Sequence, residues 1–301
     1  MRVNRQDGVG TRRVRTVART TVLAAVLSLV ATSCLLARPE GPDGLRYRDD
    51  VFSTVTTTSS IVYGQALSQT GVATTLYADL YEPAGDSAPL RPLVIFVHGG
   101  SFKSGTRTSA ELVDEATVLG KKGWVSASIS YRLSAQGCTV IDAACVESIV
   151  DATEDAQAAV RFFRAHAADY RIDPTRIAIA GSSAGAITAM NVGFRAEVPG
   201  NSGTPGYSSD VRAAVSFSGG RLLGTCDQGD APALLFHGTA DPLVPYQWAV
   251  NTETCAKDAK VWSQLITWEG DGHVPYIQHR DEILQDTTYF LYNAMNVKAM
   301  S

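Results

Sequence analysis

Five consecutive apolar residues, Leu93-Val94-Ile95-Phe96-Val97, stand between Pro92 and the polar-small stretch His98-Gly99-Gly100. So short and uniform a run suits a strand covered on both faces, since neither side of its pleat is left for water. Similar runs recur at 125–130, 177–180, 213–217, 233–236 and 261–267, with helical stretches between them. The clearest helix is predicted from Ile149 to Ala168, where Val150, Ala156, Ala159, Val160 and Phe163 can line one face. Alternation of this kind builds parallel βαβ units with right-handed crossovers, and so an α/β domain with helices on both faces of its sheet. Ahead of it, residues 51–82 are rich in Val, Thr, Tyr and Ile with partial alternation, which predicts antiparallel strands leading into the sheet. Ligands bind such sheets at the carboxyl ends of their strands. The sequence carries no internal repeat and no second domain, and the irregular stretches 194–210 and 219–231 are too short for a large cap.

The N-terminus has a different character. Six Arg between positions 2 and 19 face one acidic residue, Asp7, and an apolar stretch follows from Val22 to Ala31. A basic segment before about ten apolar residues reads as a secretory signal peptide, because the stretch is too short to span a bilayer. Residues 1–33 are therefore predicted to be an export signal. The stretch ends in Val30-Ala31-Thr32-Ser33-Cys34, which resembles a bacterial lipobox with Ala31 where Leu is usual. Lipidation of Cys34 and ordinary cleavage near Leu35-Leu36-Ala37 both stay open, which makes the protein either a cell-surface lipoprotein or a freely secreted one. Residues 34–50, rich in Pro, Gly and charge, are predicted to be a flexible tether, with the catalytic domain over 51–301.

Without residues 1–33 the chain carries twenty basic and twenty-nine acidic residues, a net charge of −9 against −4 for the whole, which excludes nucleic acid as a natural partner. Cys138, Cys145, Cys226 and Cys255 remain besides Cys34, an even number in a chain bound for an oxidising compartment. Of the three pairings, Cys138 with Cys145 and Cys226 with Cys255 is favoured, the first local and the second joining two loops. A zinc site is the rival, but the spacings do not form paired CxxC ligands.

The chemistry is carried by Gly181-Ser182-Ser183-Ala184-Gly185, between the run 177–180 and a helix expected over 186–194. A serine on a sharp strand-to-helix turn is presented as a nucleophile, and the helix N-terminus supplies N–H groups for a developing oxyanion. With this context the chain resembles the α/β-hydrolase superfamily, and Asp173-Pro174-Thr175-Arg176 resembles its esterase branch; the resemblance spans residues 75–290. It implies an acid and then a histidine on later loops. Asp241, in His237-Gly238-Thr239-Ala240-Asp241-Pro242, is the candidate acid, with Asp271 as runner-up and a turn or N-cap role as the bland alternative. His273, in Gly270-Asp271-Gly272-His273, is the candidate base, and His98, His166, His237 and His279 are set aside. His98-Gly99-Gly100-Ser101-Phe102 is similar to the superfamily's HGGG-type loop, which implies oxyanion donors at Ala184 and at Gly100 or Ser101, with Ser101 replacing the usual third Gly. Phe102 is a candidate floor for a substrate pocket.

The expectation is an exported serine carboxylic-ester hydrolase needing no metal or organic cofactor and acting on small or polymeric esters such as feruloyl, acetyl-polysaccharide or polyester substrates. Its alternatives are a prolyl oligopeptidase-like exopeptidase, disfavoured by the absence of a propeller-sized N-terminal domain, and a non-catalytic surface lipoprotein on the same fold. Oligomeric state leaves no mark in the sequence.

Overall fold

The computed structural model describes residues 34–194 and 200–300. Eight strands form one sheet: β1 (Val55–Leu67), β2 (Ala73–Pro83), β3 (Arg91–Val97), β4 (Val125–Ile129), β5 (Ile172–Ser182), β6 (Ala214–Phe217), β7 (Ala233–Gly238) and β8 (Ser263–Trp268). Their order is β1-β2-β4-β3-β5-β6-β7-β8, antiparallel from β1 to β4 and parallel from there on. The helices are α1 (Ala110–Lys121), α2 (Ala143–Ala165), α3 (Ala184–Gly193), α4 (Tyr246–Asp258) and α5 (Tyr276–Ala294). This is the mostly parallel α/β architecture with antiparallel leading strands that the apolar runs predict, and the described residues form no cap.

Strand β3 shows why its run is uninterrupted. Leu93, Ile95 and Val97 face a core with Ala156 and Phe163 of α2, Ile187 and Met190 of α3 and Ala249 of α4. Val94 and Phe96 face the opposite core, with Leu112 and Leu119 of α1 and Phe290 and Leu291 of α5. Period-2 alternation sends neighbours to opposite faces, so a strand roofed on both sides has no position for a polar residue. Helices α1, α4 and α5 are not among the predicted elements, although Leu112, Ala116 and Leu119 of α1 recur at helical spacing. The buried positions of α4 are Ala249, Thr252 and Ala256, residues too small or too polar to draw an apolar stripe.

Residues 35–50 correct the expectation of a flexible tether. The compact unit begins at Leu35, not near Val51. Tyr47, 1% exposed, meets Trp124 edge to face, and the Trp124 indole N–H donates to the Tyr47 carbonyl at 3.0 Å. Arg48, also buried, donates to the carbonyls of Pro39, Gly41 and Pro42, and Asn293 Nδ2 donates to those of Leu35 and Ala37. Two buried side chains and a set of captured carbonyls order the segment, and none of these makes a period in the sequence. The export signal predicted for residues 1–33 lies outside the described residues.

The two disulfides join Cys138 to Cys145 and Cys226 to Cys255, the favoured pairing. Among the described residues no helix is long and apolar enough to cross a membrane, and no cluster of His, Cys, Asp or Glu could hold a metal ion.

On α1, Glu115 is 2% exposed and neither carboxylate oxygen has a hydrogen-bond partner. Burial, reinforced by the charges of Glu111 and Asp114, pushes its pKa well above the usual carboxylate range. The folded state therefore keeps this proton where the unfolded chain has lost it, and stability falls as pH rises above the ordinary value of 4.5. Glu115→Gln is expected to match the parent near pH 4 and to exceed it at higher pH. The gap should open by about 1.4 kcal/mol per pH unit until the folded-state pKa is reached. Thermal unfolding of both proteins at pH 4 and pH 8 measures it, and a constant difference at the two pH values would refute the assignment.

Candidate active site

Ser183 sits between the last residue of β5 and the first of α3 with φ 54° and ψ −115°. A non-glycine residue held there costs on the order of 1–3 kcal/mol. The strain persists because the turn is squeezed against the centre of the sheet. A Cβ at Gly185 would lie 2.0 Å from the Val97 carbonyl oxygen of β3, and one at Gly181 would lie 2.2 Å from the Gly185 oxygen. Both flanking positions must therefore lack a side chain.

His273 reaches the serine from the loop after β8. Its Nε2 lies 2.8 Å from Ser183 Oγ and its Nδ1 lies 2.7 Å from Asp241 Oδ2, on the loop after β7. With the ring proton on Nδ1 donated to the carboxylate, Nε2 is left to accept from the serine hydroxyl. The two loops are stitched together by the Ala240 N–H donating to the Asp271 carbonyl and the Thr239 N–H to the Trp268 carbonyl, and Val274 N–H ties the histidine loop to Ser218 Oγ, just after β6, at 3.0 Å. Asp271, the runner-up acid, instead pairs with His279 at 2.5 Å.

Asp241 fills the turn role as well as the contact with histidine. Its Oδ1 accepts the N–H groups of Leu243 and Val244 while Oδ2 faces His273 and His237. Its side chain is fully buried, which alone would raise its pKa, yet the hydrogen bonds from His237, His273 and the two backbone amides hold the carboxyl below its usual range. It is thus a permanently ionised acceptor for an imidazole.

His237 was set aside in the sequence and belongs to the site. It is 0% exposed, its Nε2 lies 3.1 Å from Asp241 Oδ2 and 3.0 Å from the Val244 carbonyl, and its buried Nδ1 has no partner. The ring proton therefore sits on Nε2, where both acceptors are. A polar residue at the end of the apolar run 233–236 was the signal that could have found it, because a buried imidazole needs a partner.

On the other side, Ser101 and Phe102 of the loop after β3 also have positive φ, 53° and 59°. Ser101 accepts the geometry that glycine adopts freely. Among the described residues neither the Gly100 nor the Ser101 N–H donates to a protein acceptor, and Ala184 is the first residue of α3, whose N–H has no partner within the helix. All three amides are free to serve an oxyanion. His98 braces this loop: Nδ1 bonds the Gly99 carbonyl at 2.7 Å, the ring stacks on Tyr131, and burial lowers its pKa despite that bond. Phe102, 1% exposed, meets Tyr131 edge to face and lines the smaller of two cavities beside Ser183. The larger measures about 760 Å³ and the smaller about 180 Å³.

The profile of a family described as BD-FAE matches residues 78–221, and that of the TAP-like proteins matches residues 219–296. Between them they cover the serine, acid and histidine. The chain is an α/β-hydrolase. Among solved structures this hydrolase is similar to esterase 2 of Thermogutta terrifontis, at 23% identity and TM-score 0.63 over 81% of this chain and 94% of that one. By sequence it is 32% identical to a probable isoprenylcysteine alpha-carbonyl methylesterase of Arabidopsis thaliana, over 69% of this chain and 49% of that protein. It is also 26% identical to juvenile hormone esterase of Heliothis virescens, over 44% of this chain and 24% of that one. The chain thus spans half or less of the length of these two curated relatives.

The geometry around Asp241 yields a prediction. His237→Leu removes one donor from the carboxylate and is expected to slow covalent modification of Ser183 by a fluorophosphonate about tenfold to a hundredfold, the value of one hydrogen bond to a charged group. His237→Gln, which keeps an N–H at that reach, should recover most of the rate. Equal labelling rates for His237→Leu and the parent would remove His237 from the site.

Proposed function

We propose that this α/β-hydrolase is an exported serine esterase that cleaves carboxylic esters through an acyl-enzyme. The observation that carries the reading is the continuous relay from Ser183 Oγ through His273 to the buried Asp241 carboxylate, at 2.8 and 2.7 Å. Export is supported by the basic and apolar N-terminal sequence together with two disulfides. The ester bond is supported by relatives that bear esterase names.

In this mechanism Ser183 Oγ attacks the ester carbonyl while His273 Nε2 takes the hydroxyl proton. Asp241 keeps the imidazole in the required tautomer and stabilises its cationic form. The carbonyl oxygen gains negative charge and is received by the Ala184 amide and by that of Gly100 or Ser101. Each such donor contributes about 2.7–4 kcal/mol of transition-state stabilisation. His273 then returns its proton to the leaving alkoxide, the C–O bond to the alcohol breaks, and the acyl group stays on Ser183. Water, deprotonated by His273, attacks the acyl-serine, and the acid leaves as the serine hydroxyl is restored.

The open rim, without a cap among the described residues, suits esters carried on large molecules outside the cell. Acylated polysaccharides, feruloyl esters and polyesters are of that kind.

Ser183→Ala is expected to abolish both p-nitrophenyl acetate hydrolysis and fluorophosphonate labelling with an unchanged melting temperature. Asp241→Asn should lower kcat by about 10⁴-fold, as loss of the correct imidazole tautomer does in such triads. Residual turnover in Ser183→Ala near the parent level would sink the mechanism. Faster cleavage of aminoacyl anilides than of esters would move the assignment to a peptidase, and an unlabelled parent would support a non-catalytic module.

A further inference from the structure

The loop that carries His273 runs from Trp268, the last residue of β8, to Tyr276, the first of α5. It holds a second imidazole–carboxylate pair that the ester mechanism does not use. Asp271 Oδ2 meets His279 Nε2 at 2.5 Å, and neither side chain belongs to the relay through His273.

His279 is fixed on three sides. Its Nε2 faces a carboxylate, so the ring proton sits there and is donated to Asp271. Its Nδ1 lies 3.4 Å from Glu282 Oε2. Its ring lies flat on the Trp268 indole, with centroids 4.1 Å apart and planes 8° from parallel, and the indole N–H donates to that same Glu282 oxygen at 3.0 Å. The end of β8 and the first turns of α5 are thereby joined, and the loop between them is closed at its base. The backbone of α5 breaks from helical geometry at this residue, with φ −114° and ψ 16°. Helix kinks have local causes, and here the kink falls on the side chain pinned to the preceding strand.

The loop has few other means of holding its shape. Gly270 and Gly272 flank Asp271, and a Cβ added at either would meet nothing within 4 Å. Over these three residues Asp271 supplies the one side chain, and His279 takes it. The Asp271 carbonyl accepts the Ala240 N–H at 2.9 Å, directly before Asp241, and a Cβ at Gly238 would lie 2.3 Å from that carbonyl oxygen. A single residue is therefore clamped to the acid loop through its main chain and to α5 through its side chain. His273 stands two residues further on. Any shift of Asp271 moves the imidazole relative to Asp241, 2.7 Å away, and to Ser183, 2.8 Å away. A misplacement of about 1 Å in reacting groups costs on the order of a hundredfold in rate.

Resting on the esterase reading, we infer that His279 is a positioning residue for the reaction: by gripping Asp271 it sets the register of the histidine loop against the acid loop, and so the reach of His273 toward Ser183. It touches neither the substrate nor the reacting atoms. Trp268 and Glu282 fix its ring, so the register is taken from the end of the sheet. The two glycines beside one aspartate fit this role. They give the loop the latitude to bring an imidazole back over the serine, and the aspartate removes that latitude at one point.

The test uses the full chain and p-nitrophenyl acetate, with active sites counted by complete fluorophosphonate titration. His279→Phe keeps a ring on Trp268 and removes the donor to Asp271. Its kcat per active site is expected to fall by about tenfold or more, with KM within about twofold of the parent. His279→Gln, whose amide N–H reaches the same carboxylate, should recover kcat to within about threefold despite losing the stack. Adding Asp271→Asn to His279→Phe should cost little more than either change alone, because both remove one contact. A merely structural staple would lower the melting temperature and leave kcat per active site at the parental value for Phe and Gln alike. That result overturns the inference and leaves the esterase reading standing, and so does an additive loss in the double variant. The deshielded Nδ1 proton that His273 shares with Asp241, assigned in proton NMR by its absence from His273→Ala, gives a readout independent of turnover. It should shift or broaden in His279→Phe and return in His279→Gln; an unchanged resonance in the Phe variant overturns the positioning role. A parent that hydrolyses no ester and resists fluorophosphonate overturns the esterase reading instead, and the resonance still decides whether His279 orders His273.

Discussion

The contact on which the site depends is the approach of the α3 N-terminus to the carboxyl end of β3. Backbone meets backbone there, with the Gly185 Cα so close to the Val97 carbonyl that a single methyl group would overlap it. Because β3 and β5 are parallel neighbours, that contact places the Ser183 turn next to the loop leaving Val97. That loop and Ala184 consequently both border the space beside Ser183. Neither a strained serine nor a strained Ser101-Phe102 segment would hold its conformation in isolation. Each is kept by the packing of a sheet roofed on both faces, where relaxation of one turn would open a void in the core.

The electrostatics of the site follow from burial plus saturation of one carboxylate. Asp241 is removed from water, which disfavours its charge, and then supplied with four donors, which more than restores it. Two of the donors are backbone amides of its own turn, so the turn and the charge are maintained by the same bonds. His237 adds a third donor from within strand β7, to the same oxygen, Oδ2, that faces His273. Crowding of donors around one acceptor fixes its direction as well as its ionisation, which a surface aspartate with a single partner would lack.

A second chain of contacts supports the opposite wall. Asp155 in α2, fully buried, accepts the Arg132 backbone N–H at 2.7 Å and its Nε at 2.9 Å, and Ser202 Oγ bonds the same carboxylate. Breaking such a buried pair by removing one member costs about 3–5 kcal/mol. Arg132 opens the segment that bonds through Ser134 and Cys138 to the Ser101–Phe102 loop and ends at the disulfide to α2. Both ends of that segment are therefore tied to one helix, and the small cavity inherits its dimensions from this attachment. The larger groove is held by Tyr276 and Arg280 of α5, which both donate to Asp114 of α1, while Leu243 and Ile277 stand exposed on its wall.

Much of this arrangement is legible in the chain before folding. The uninterrupted apolar runs announce strands covered on both faces, the small residues around Ser183 announce a turn without side chains, and the order of Ser183, Asp241 and His273 follows from loops that close successive strands. These are local properties, written in neighbouring residues, and they determine fold class and point to the side chains proposed to react. What tertiary structure alone decides is distance between residues remote in sequence. Tyr47 and Asn293 hold a segment that has no apolar period, because their partners, Trp124 for the first and the carbonyls of Leu35 and Ala37 for the second, are remote in sequence. His237 has the local look of a strand terminus, and it becomes a partner of Asp241 only because the acid turn folds back over the end of β7. The volumes on either side of Ser183 likewise come from five separate segments meeting at one point. Sequence dictates which atoms can react, through local conformation and chemistry; packing alone determines how much room they leave for what they react with.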